Sequence, residues 1–138
     1  VNFITEVKAE TAYADTEYLE EVLSNLIDNS IKYSGDSVEI RISTELNDQY
    51  TVLKIRDNGF GISEKDIHLI FHKFERTSAV KRHRKNGTSG FGLGLNFVDQ
   101  VIKAHQGKIF VTSIEGEFTE FIIYLPLTDN EEQTNNQQ

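Results

Sequence analysis

The sequence predicts an α+β domain, in which one β-sheet is backed by one layer of helices as a two-layer sandwich. Three observations lead to this fold class. Residues 38–46 and 50–57 alternate apolar and polar side chains with the period of a strand. Residues 16–33 repeat apolar side chains at helical spacing instead. Strand-like and helix-like segments then follow one another along the chain without an internal repeat, which favours a single layered domain.

The first two elements are a short strand and a long helix. Residues 3–8 (FITEVK) predict the strand. Asp15 is suited to capping the helix, which continues to about Tyr33 before residues 34–37 (SGDS) break it. The predicted apolar face of this helix consists of Leu19, Val22, Leu23, Leu26, Ile27 and Ile31.

A hairpin and a second helix follow. The two alternating segments pair across the turn at residues 47–49 (NDQ). Ser63, with Asp66 three residues later, resembles a capping box and predicts a helix start. The apolar face of this helix is expected to carry Ile67, Ile70, Phe71 and Phe74.

A polar stretch, residues 76–89, separates the second helix from the third. The third helix is expected to run from a glycine repeat at residues 90–94 to about Gln106, and Gly107 has the residue type that is common at C′.

Two strands and a tail complete the chain. Residues 108–114 and 117–126 are expected to form a hairpin around the turn at Glu115 and Gly116. The tail, residues 128–138, lacks apolar side chains and is expected to be disordered. The predicted domain therefore spans residues 1–127.

Composition limits the class of protein. The chain has 138 residues, of which 38% are hydrophobic, enough for one domain with a modest core. It has no cysteine, which excludes disulfides and thiolate metal sites. The formal net charge of −8 argues against nucleic acid as a partner. No apolar run approaches the roughly 18 residues of a membrane span, and no signal peptide is visible. The chain begins without an initiator Met, and we expect it to be a piece of a longer protein.

The first candidate site lies on the first helix. Asn25, Asn29 and Lys32 stand at i, i+4 and i+7, so they share one stripe beside the apolar face. A solvated helix face would explain them individually. Asparagine disfavours helix interiors, however, so two on one stripe indicate that their amides have partners. An amide oxygen can coordinate Mg²⁺, and a Lys ammonium can meet a phosphate.

Two glycine motifs form the other candidate sites. Asp57, Gly59 and Gly61 follow a D-x-G-x-G pattern at the end of a strand, which indicates either a turn or a close approach by a ligand. The repeat at residues 90–94 opens a helix, where free N–H groups favour phosphate. The repeat matches neither a P-loop nor a dinucleotide fingerprint, because Leu95 follows its last glycine.

Five segments in this order resemble the N, G1, F, G2 and G3 boxes of sensor histidine kinases. They are NLIDNSIKYS, DNGFGI, IFHKFER, GTSGFGLGL and HQGKI. This family belongs to the Bergerat-type ATP-binding superfamily, with gyrase, heat-shock chaperones and mismatch-repair ATPases. The resemblance covers Ala14 to about Pro126 and implies a mixed five-stranded sheet, with three helices on one face and ATP held between the helices and a lid.

The resemblance also implies a role for individual residues. Asn29 would ligate Mg²⁺, and Asn25 and Lys32 would lie near the phosphates and act in catalysis together with Arg76 of the F box. Asp57 would hold the adenine amino group, and Gly61 would let the base approach. The remaining implied ATP-binding residues are Tyr33, Gly59, Ile62, Phe71, Gly90, Phe91, Gly92, Leu93, Gly94 and Leu95. Five cations near the repeat, Arg76, Lys81, Arg82, Arg84 and Lys85, fit a lid over phosphate.

Two departures from related families bear on the reaction. No histidine in the chain is followed by the Glu and Pro of the family's phosphoacceptor motif, so the acceptor is expected on a separate helical domain. Gyrase-type ATPases carry a water-activating Glu four residues before the metal-binding Asn. Asn25 occupies that position here, and an amide is not a base at neutral pH. Transfer to a protein side chain is thus favoured over hydrolysis, with Glu21 as a weaker candidate for polarising the histidine.

The expected function is phosphoryl transfer from Mg·ATP to histidine in a two-component system. The implied partners are the protein's own dimerisation and phosphoacceptor domain and a response regulator. The whole sensor would be a membrane-anchored homodimer with this domain in the cytoplasm. Alternatives are a serine kinase of the anti-sigma type and a non-enzymatic module switched by nucleotide. His68 and His72 have zincin spacing, but Leu69 replaces the catalytic Glu, which makes a zinc hydrolase a poor interpretation.

Overall fold

Five strands form one mixed sheet in the computed structural model, which describes residues 1–8, 15–71 and 91–127. The strands are β1 (Asn2–Val7), β2 (Glu39–Asn47), β3 (Tyr50–Asp57), β4 (Lys108–Ile114) and β5 (Phe118–Pro126). The helices in the described residues are α1 (Thr16–Lys32), α2 (Glu64–Ile67) and α3 (Phe91–Ala104). Phe74, His72, the lid cations and the predicted disordered tail lie outside the described residues.

The strand order is β1-β2-β3-β5-β4. β1 is parallel to β2, and the other neighbouring pairs are antiparallel. A parallel pair needs a crossover connection, and the segment that contains α1 supplies it. β2–β3 and β4–β5 are the two hairpins that the sequence predicts, with Asp48 (φ 54°) and Gly116 (φ 84°) in their turns. The predicted mixed five-stranded sheet is confirmed.

The core lies between the sheet and the helices. The register aligns Ile40 of β2 with Asp57 of β3, and Ile55 of β3 with Phe121 of β5, so these side chains share one face of the sheet. From the helix layer, α1 and α3 contribute fully buried side chains to the same cluster, among them Val22, Leu26, Leu95 and Val98. This arrangement confirms the two-layer α+β sandwich.

Helix α1 begins as the sequence predicts. The Asp15 carboxylate accepts hydrogen bonds from the backbone N–H groups of Glu17 (3.0 Å) and Tyr18 (3.3 Å), so Asp15 is the N-cap. His105, just after α3, also contacts this cap. Its Nε2 accepts from the Asp15 N–H at 3.1 Å, while its Nδ1 lies 2.8 Å from the Val101 oxygen. This geometry fits the neutral Nδ1–H tautomer and links the end of α3 to the start of α1.

The end of α3 differs from the prediction. The helix ends at Ala104, and Gln106 (φ 62°) takes the left-handed position, not Gly107. The Gly107 N–H donates to the Ile102 oxygen (2.9 Å) and the Gln106 N–H donates to the Lys103 oxygen (3.0 Å), which is a Schellman motif with Gln106 at C′. Glycine is needed at 107 for another reason, because a Cβ there would overlap the Tyr124 carbonyl oxygen.

Helix α2 is shorter than its predicted apolar face. Ser63 caps it by accepting from the Asp66 N–H at 3.3 Å, as predicted, but the helix ends at Ile67 and residues 68–71 form turns. Ile70 is nevertheless buried, so the apolar pattern located the core contact correctly. No helix in the described part of the chain is long and apolar enough to cross a membrane.

We expect Gly107→Ala to lower the free energy of unfolding by about 1–3 kcal/mol, the usual cost of overpacking. The added methyl group would force the α3–β4 connection away from Tyr124. Gly35→Ala is the matched control, because a Cβ at 35 meets nothing within 4 Å. Urea denaturation of both variants checks the prediction. Equal stability of the two variants would contradict the close approach at Gly107.

Candidate functional site

Two of the sequence motifs meet where the last turn of α1 lies against the loop after β3. The Ser30 hydroxyl donates to Asp57 Oδ2 at 2.9 Å, and both side chains are buried. One turn later, the Phe60 N–H donates to the Tyr33 carbonyl oxygen at 3.1 Å. Asn29 precedes Ser30 directly, so the α1 stripe and the D-x-G-x-G motif lie on two elements that are in contact at Ser30 and Asp57.

Asp57 is the buried acid of this site. Its side chain is 7% exposed on the face of the sheet that α1 covers. Oδ2 accepts from Ser30 and Oδ1 accepts from the Gly59 N–H at 2.8 Å. Burial raises the pKa of Asp57, while the hydrogen bonds from Gly59 and Ser30 act to lower the pKa. A carboxylate has about four acceptor positions, so a donor on a ligand can still bind it.

Asn29 supplies a buried amide. The residue is 9% exposed, and within the described ranges no hydrogen-bond partner reaches its Nδ2. Leaving a buried polar group without a partner costs about 1–3 kcal/mol. Native proteins tolerate such a group mainly where a ligand, ion or water completes it. The buried amide therefore fits the expectation that Asn29 contacts a bound group.

Asn25 and Lys32 are more exposed members of the same stripe. Asn25 is half-buried, and its Nδ2 donates to the Glu21 carbonyl oxygen of α1 at 2.9 Å. The Lys32 ammonium lies 3.0 Å from the Asp28 carboxylate, which sequence reasoning did not pair with it. Both side chains of that ion pair are partly exposed, so a competing phosphate can replace Asp28 at small cost.

The glycines after Asp57 have structural reasons for lacking a side chain. A Cβ at Gly59 would lie 2.5 Å from Ser34 Oγ and 2.8 Å from the Tyr33 carbonyl oxygen. Gly61 has a φ of 71°, and a Cβ there would overlap the Ile114 carbonyl oxygen at the end of β4. The approach of a base to Gly61 and the contact of Tyr33 with a nucleotide stay predictions.

The β4–β5 hairpin contacts the loop after β3 on the side away from α1. Ser113 Oγ accepts from the Ile62 N–H at 2.7 Å and donates to the Phe118 carbonyl oxygen at 2.6 Å. The Gly116 N–H donates to the Phe60 carbonyl oxygen at 2.7 Å. The loop after β3 is thus fixed between α1 and the hairpin, which limits how far Asp57 and its neighbours can move.

Three other predicted site residues have side chains in or against the core. Ile62 is 1% exposed, and Leu95 is fully buried. Phe71 is half-buried, with its ring edge-on to Phe121 at 6.4 Å between centroids. Packing explains these residue types, and nucleotide contact by them stays a prediction.

The glycine repeat is described only in part. The described part of α3 starts at Phe91, and Gly92, Leu93 and Gly94 are helical within it; that the repeat opens the helix stays a prediction. Gly90 and Arg76 lie outside the described residues, so their predicted roles in ATP binding and catalysis are not addressed by the structure.

Sequence reasoning missed several residues that shape the site: Ser30, Asn58, Asn96 and Ser113. Asn58 joins the loop to the start of β2, accepting from the Glu39 N–H (2.8 Å) and donating to the Ser37 oxygen (3.2 Å). Asn96 donates to the Phe71 oxygen at 3.0 Å. A signal existed for Ser30, because it follows Leu26 by four residues on the buried face and its hydroxyl therefore needed a partner.

Comparison with known families shows the type of domain. The chain matches the family model of histidine kinase-, DNA gyrase B- and HSP90-like ATPases over residues 14–129. This match spans most of the 138 residues and includes every site residue named above. The chain therefore belongs to this family of ATP-binding domains.

Individual relatives narrow the class. The chain is 32% identical to sensor histidine kinase WalK of Bacillus subtilis over 136 residues, covering 96% of this chain and 22% of that protein. It superposes on the mycobacterial sensor histidine kinase MprB with a TM-score of 0.77 and 28% identity, covering 91% of this chain and 82% of that structure. The catalytic domain of histidine kinase ThkA gives a TM-score of 0.77 and 28% identity, covering 94% and 81%.

The chain is thus an ATP-binding catalytic domain of the sensor histidine kinase type, as its five motifs indicate. It spans only about a fifth of the length of the curated relatives it matches, 22% of WalK from Bacillus subtilis and 19% of SrrB from Staphylococcus aureus.

We expect Asp57→Asn to stabilise the nucleotide-free domain at neutral pH. Because burial raises the pKa of Asp57, the folded state holds the proton more tightly than the unfolded chain does. The buried charge lowers the unfolding free energy by its full amount when the pH is above the raised pKa of folded Asp57. It has no effect when the pH is below the pKa of Asp57 in the unfolded chain. The gain in unfolding free energy should therefore disappear as the pH falls between these two values.

Urea denaturation across this pH range checks the sign. Asp36→Asn, at an exposed position, controls for the loss of one negative charge. An Asp57→Asn variant that is less stable than the wild type at neutral pH would contradict the burial cost.

Proposed function

We propose that this domain binds Mg·ATP beside α1 and the loop after β3 and transfers the γ-phosphoryl group to a histidine on a separate helical domain. The observation that carries the proposal is that α1 and the loop after β3 each contain a buried polar group that can still bind a ligand. The Asp57 carboxylate uses two of its acceptor positions, and the Nδ2 of Asn29, one residue before Ser30, is a donor without a partner in the described residues.

Asp57 is suited to reading the base. Adenine carries an amino donor at position 6, whereas guanine carries a carbonyl acceptor there. A carboxylate pairs with the first and repels the second. Because Ser30 and Gly59 hold both oxygens of Asp57, the carboxylate cannot easily turn away from an unsuitable base.

The α1 stripe is suited to the phosphates. Asn29 would give an amide oxygen to Mg²⁺, a cation that usually takes few protein ligands and leans on substrate phosphates and water. Bound there, Mg²⁺ would neutralise charge on the phosphate oxygens. Lys32 would exchange its exposed Asp28 partner for a phosphate, and Asn25 would lie along the same stripe.

The proposed reaction is phosphoryl transfer with little covalent work for this domain. The bond between the γ-phosphorus and the bridging oxygen breaks and ADP leaves, a phosphorus–nitrogen bond to the imidazole forms, and the imidazole proton passes to solvent water. The domain contributes positioning and charge neutralisation. Asn25 cannot act as a general base toward water, which favours transfer over hydrolysis.

The partners and location of the whole protein are part of the same proposal. A dimerisation and phosphoacceptor domain would supply the histidine, and a response regulator would receive the phosphoryl group. The relatives' names as sensor kinases support this assignment. We place the domain in the cytoplasm, where ATP is available, within a membrane-anchored homodimeric sensor.

Base selectivity is the first test. We expect the wild type to bind ATP more tightly than GTP by roughly 2–4 kcal/mol, or about 30- to 1000-fold, because guanine would face a buried acceptor with an acceptor. Asp57→Asn should weaken ATP binding and narrow this gap. The Gly59 N–H requires an acceptor, so the oxygen of the introduced amide would face Gly59 and its NH₂ group would become available to guanine.

Calorimetric titration of ATP and GTP against both proteins measures the gap. Asp36→Asn again controls for charge. An ATP-to-GTP ratio that is unchanged in Asp57→Asn would mean that Asp57 shapes the turn without reading the base.

Asn29→Ala tests the metal role. We expect transfer in the full-length sensor to fall at least about 100-fold, because a group that positions and neutralises the phosphates is lost. The unfolding free energy should not fall and should rise by up to about 1–3 kcal/mol, since alanine removes a buried amide nitrogen that has no partner in the described residues. Transfer is measured as acid-labile incorporation of γ-phosphate, which separates phosphohistidine from the acid-stable phosphoserine of a serine kinase.

Asn47→Ala, at the exposed end of β2, is the matched control and should transfer normally. Normal transfer by Asn29→Ala would remove the metal role from Asn29. Acid-labile labelling of the isolated domain by ATP would show that the acceptor lies within this chain.

A further inference from the structure

Ser30 occupies a position that its residue type alone does not explain. It lies in the last turn of α1 and is 4% exposed on a face otherwise made of apolar side chains such as Leu26. A smaller alanine would fill a similar space without a hydroxyl to satisfy. The hydroxyl instead donates to Asp57 Oδ2 across 27 residues of sequence.

The bond adds a constraint that the Asp57 loop does not supply by itself. The Gly59 N–H holds Oδ1 from within the same turn. With a hydrogen bond to only one of its oxygens, the carboxylate could still rotate about its last side-chain torsion. The energy well of that torsion is broad. The second bond, from Ser30 to Oδ2, comes from another element of the fold and fixes that torsion.

The backbone of Ser30 is also held in place. Ser34 Oγ donates to the Ser30 carbonyl oxygen one turn later, and Ser34 is fully buried. The hydroxyl of Ser30 is therefore presented to Asp57 from a fixed point of the helix.

We propose that Ser30 is a positioning residue that sets the base selectivity of the site by holding the Asp57 carboxylate toward the 6-amino group of adenine. This inference rests on the proposed function, since it requires Asp57 to read the base. Ser30 acts through Asp57 and makes no contact with the ligand. Losing its hydroxyl leaves the carboxylate in place but lets it rotate away.

The test combines a change in the protein with a change in the ligand. ATP and purine riboside triphosphate, which lacks the 6-amino group, are titrated with Mg²⁺ against the wild type and Ser30→Ala. We expect Ser30→Ala to weaken ATP about 5- to 30-fold, as for a lost hydrogen bond to a charged group. Its affinity for the analogue should change less than about twofold, because no bond to position 6 exists there.

Two further variants distinguish a role of Ser30 in positioning Asp57 from a general effect of the substitution on folding. Ser30→Thr keeps the hydroxyl and should keep most of the discrimination between the two ligands. Ser24→Ala, at an exposed position of the same helix, should behave as the wild type. If Ser30→Ala does not fold, Ser30→Thr and Ser30→Cys are titrated with the same two ligands instead. The cysteine thiol is a weak donor, so Ser30→Cys should discriminate less between the ligands than Ser30→Thr.

The outcomes distinguish this inference from the proposal on which it rests. Equal binding of both ligands by the wild type would overturn base reading by Asp57, and the role of Ser30 with it. Discrimination by the wild type that is retained in full by Ser30→Ala would overturn the role of Ser30 alone. Equal weakening of both ligands would show that Ser30 is structural.

Discussion

The buried carboxylate of Asp57 is the group on which the arrangement of the site depends. It lies at the end of β3 and joins three parts of the chain: its own loop through Gly59, helix α1 through Ser30, and the neighbouring strand β2 through the register with Ile40. A charge in this position is costly, which the raised pKa of Asp57 expresses. The fold compensates part of that cost with donors from two elements, and these donors also set the direction of the carboxylate.

Asn29 likewise places a polar group in the interior at a cost in stability. Both groups reduce the stability of the ligand-free domain, and an all-apolar helix face would pack against the sheet without this cost. Polar groups of this kind are retained where binding requires them, since catalytic and ligand sites commonly sacrifice stability. The rest of the layer gives the rigidity that the site needs. The β4–β5 hairpin fixes the loop after β3 through Ser113 and Gly116, and the hydrogen bond between Asp15 and His105 joins the two long helices.

Periodicity predicted most of the elements, and motif spacing singled out the two residues on which the proposed site depends. Asn29 follows from a polar stripe beside an apolar face, and Asp57 follows from a glycine motif at a strand end. The partners of these residues could not be predicted in the same way. Ser30 finds its acceptor 27 residues away, a distance over which local patterns carry no information. Gly107 shows the converse case, because local statistics indicated a helix C-cap while the actual constraint is the approach of Tyr124 from β5.

The pKa of the Asp57 carboxyl, followed by carbon NMR with and without ATP, tests the central claim most directly. In the ligand-free domain the account predicts a pKa above the ordinary value for aspartate, because the group is buried. Saturation with Mg·ATP should lower this pKa, because the adenine amino group adds a hydrogen bond that stabilises the charged form. A pKa that ATP leaves unchanged, or raises, would contradict the claim that Asp57 binds the base.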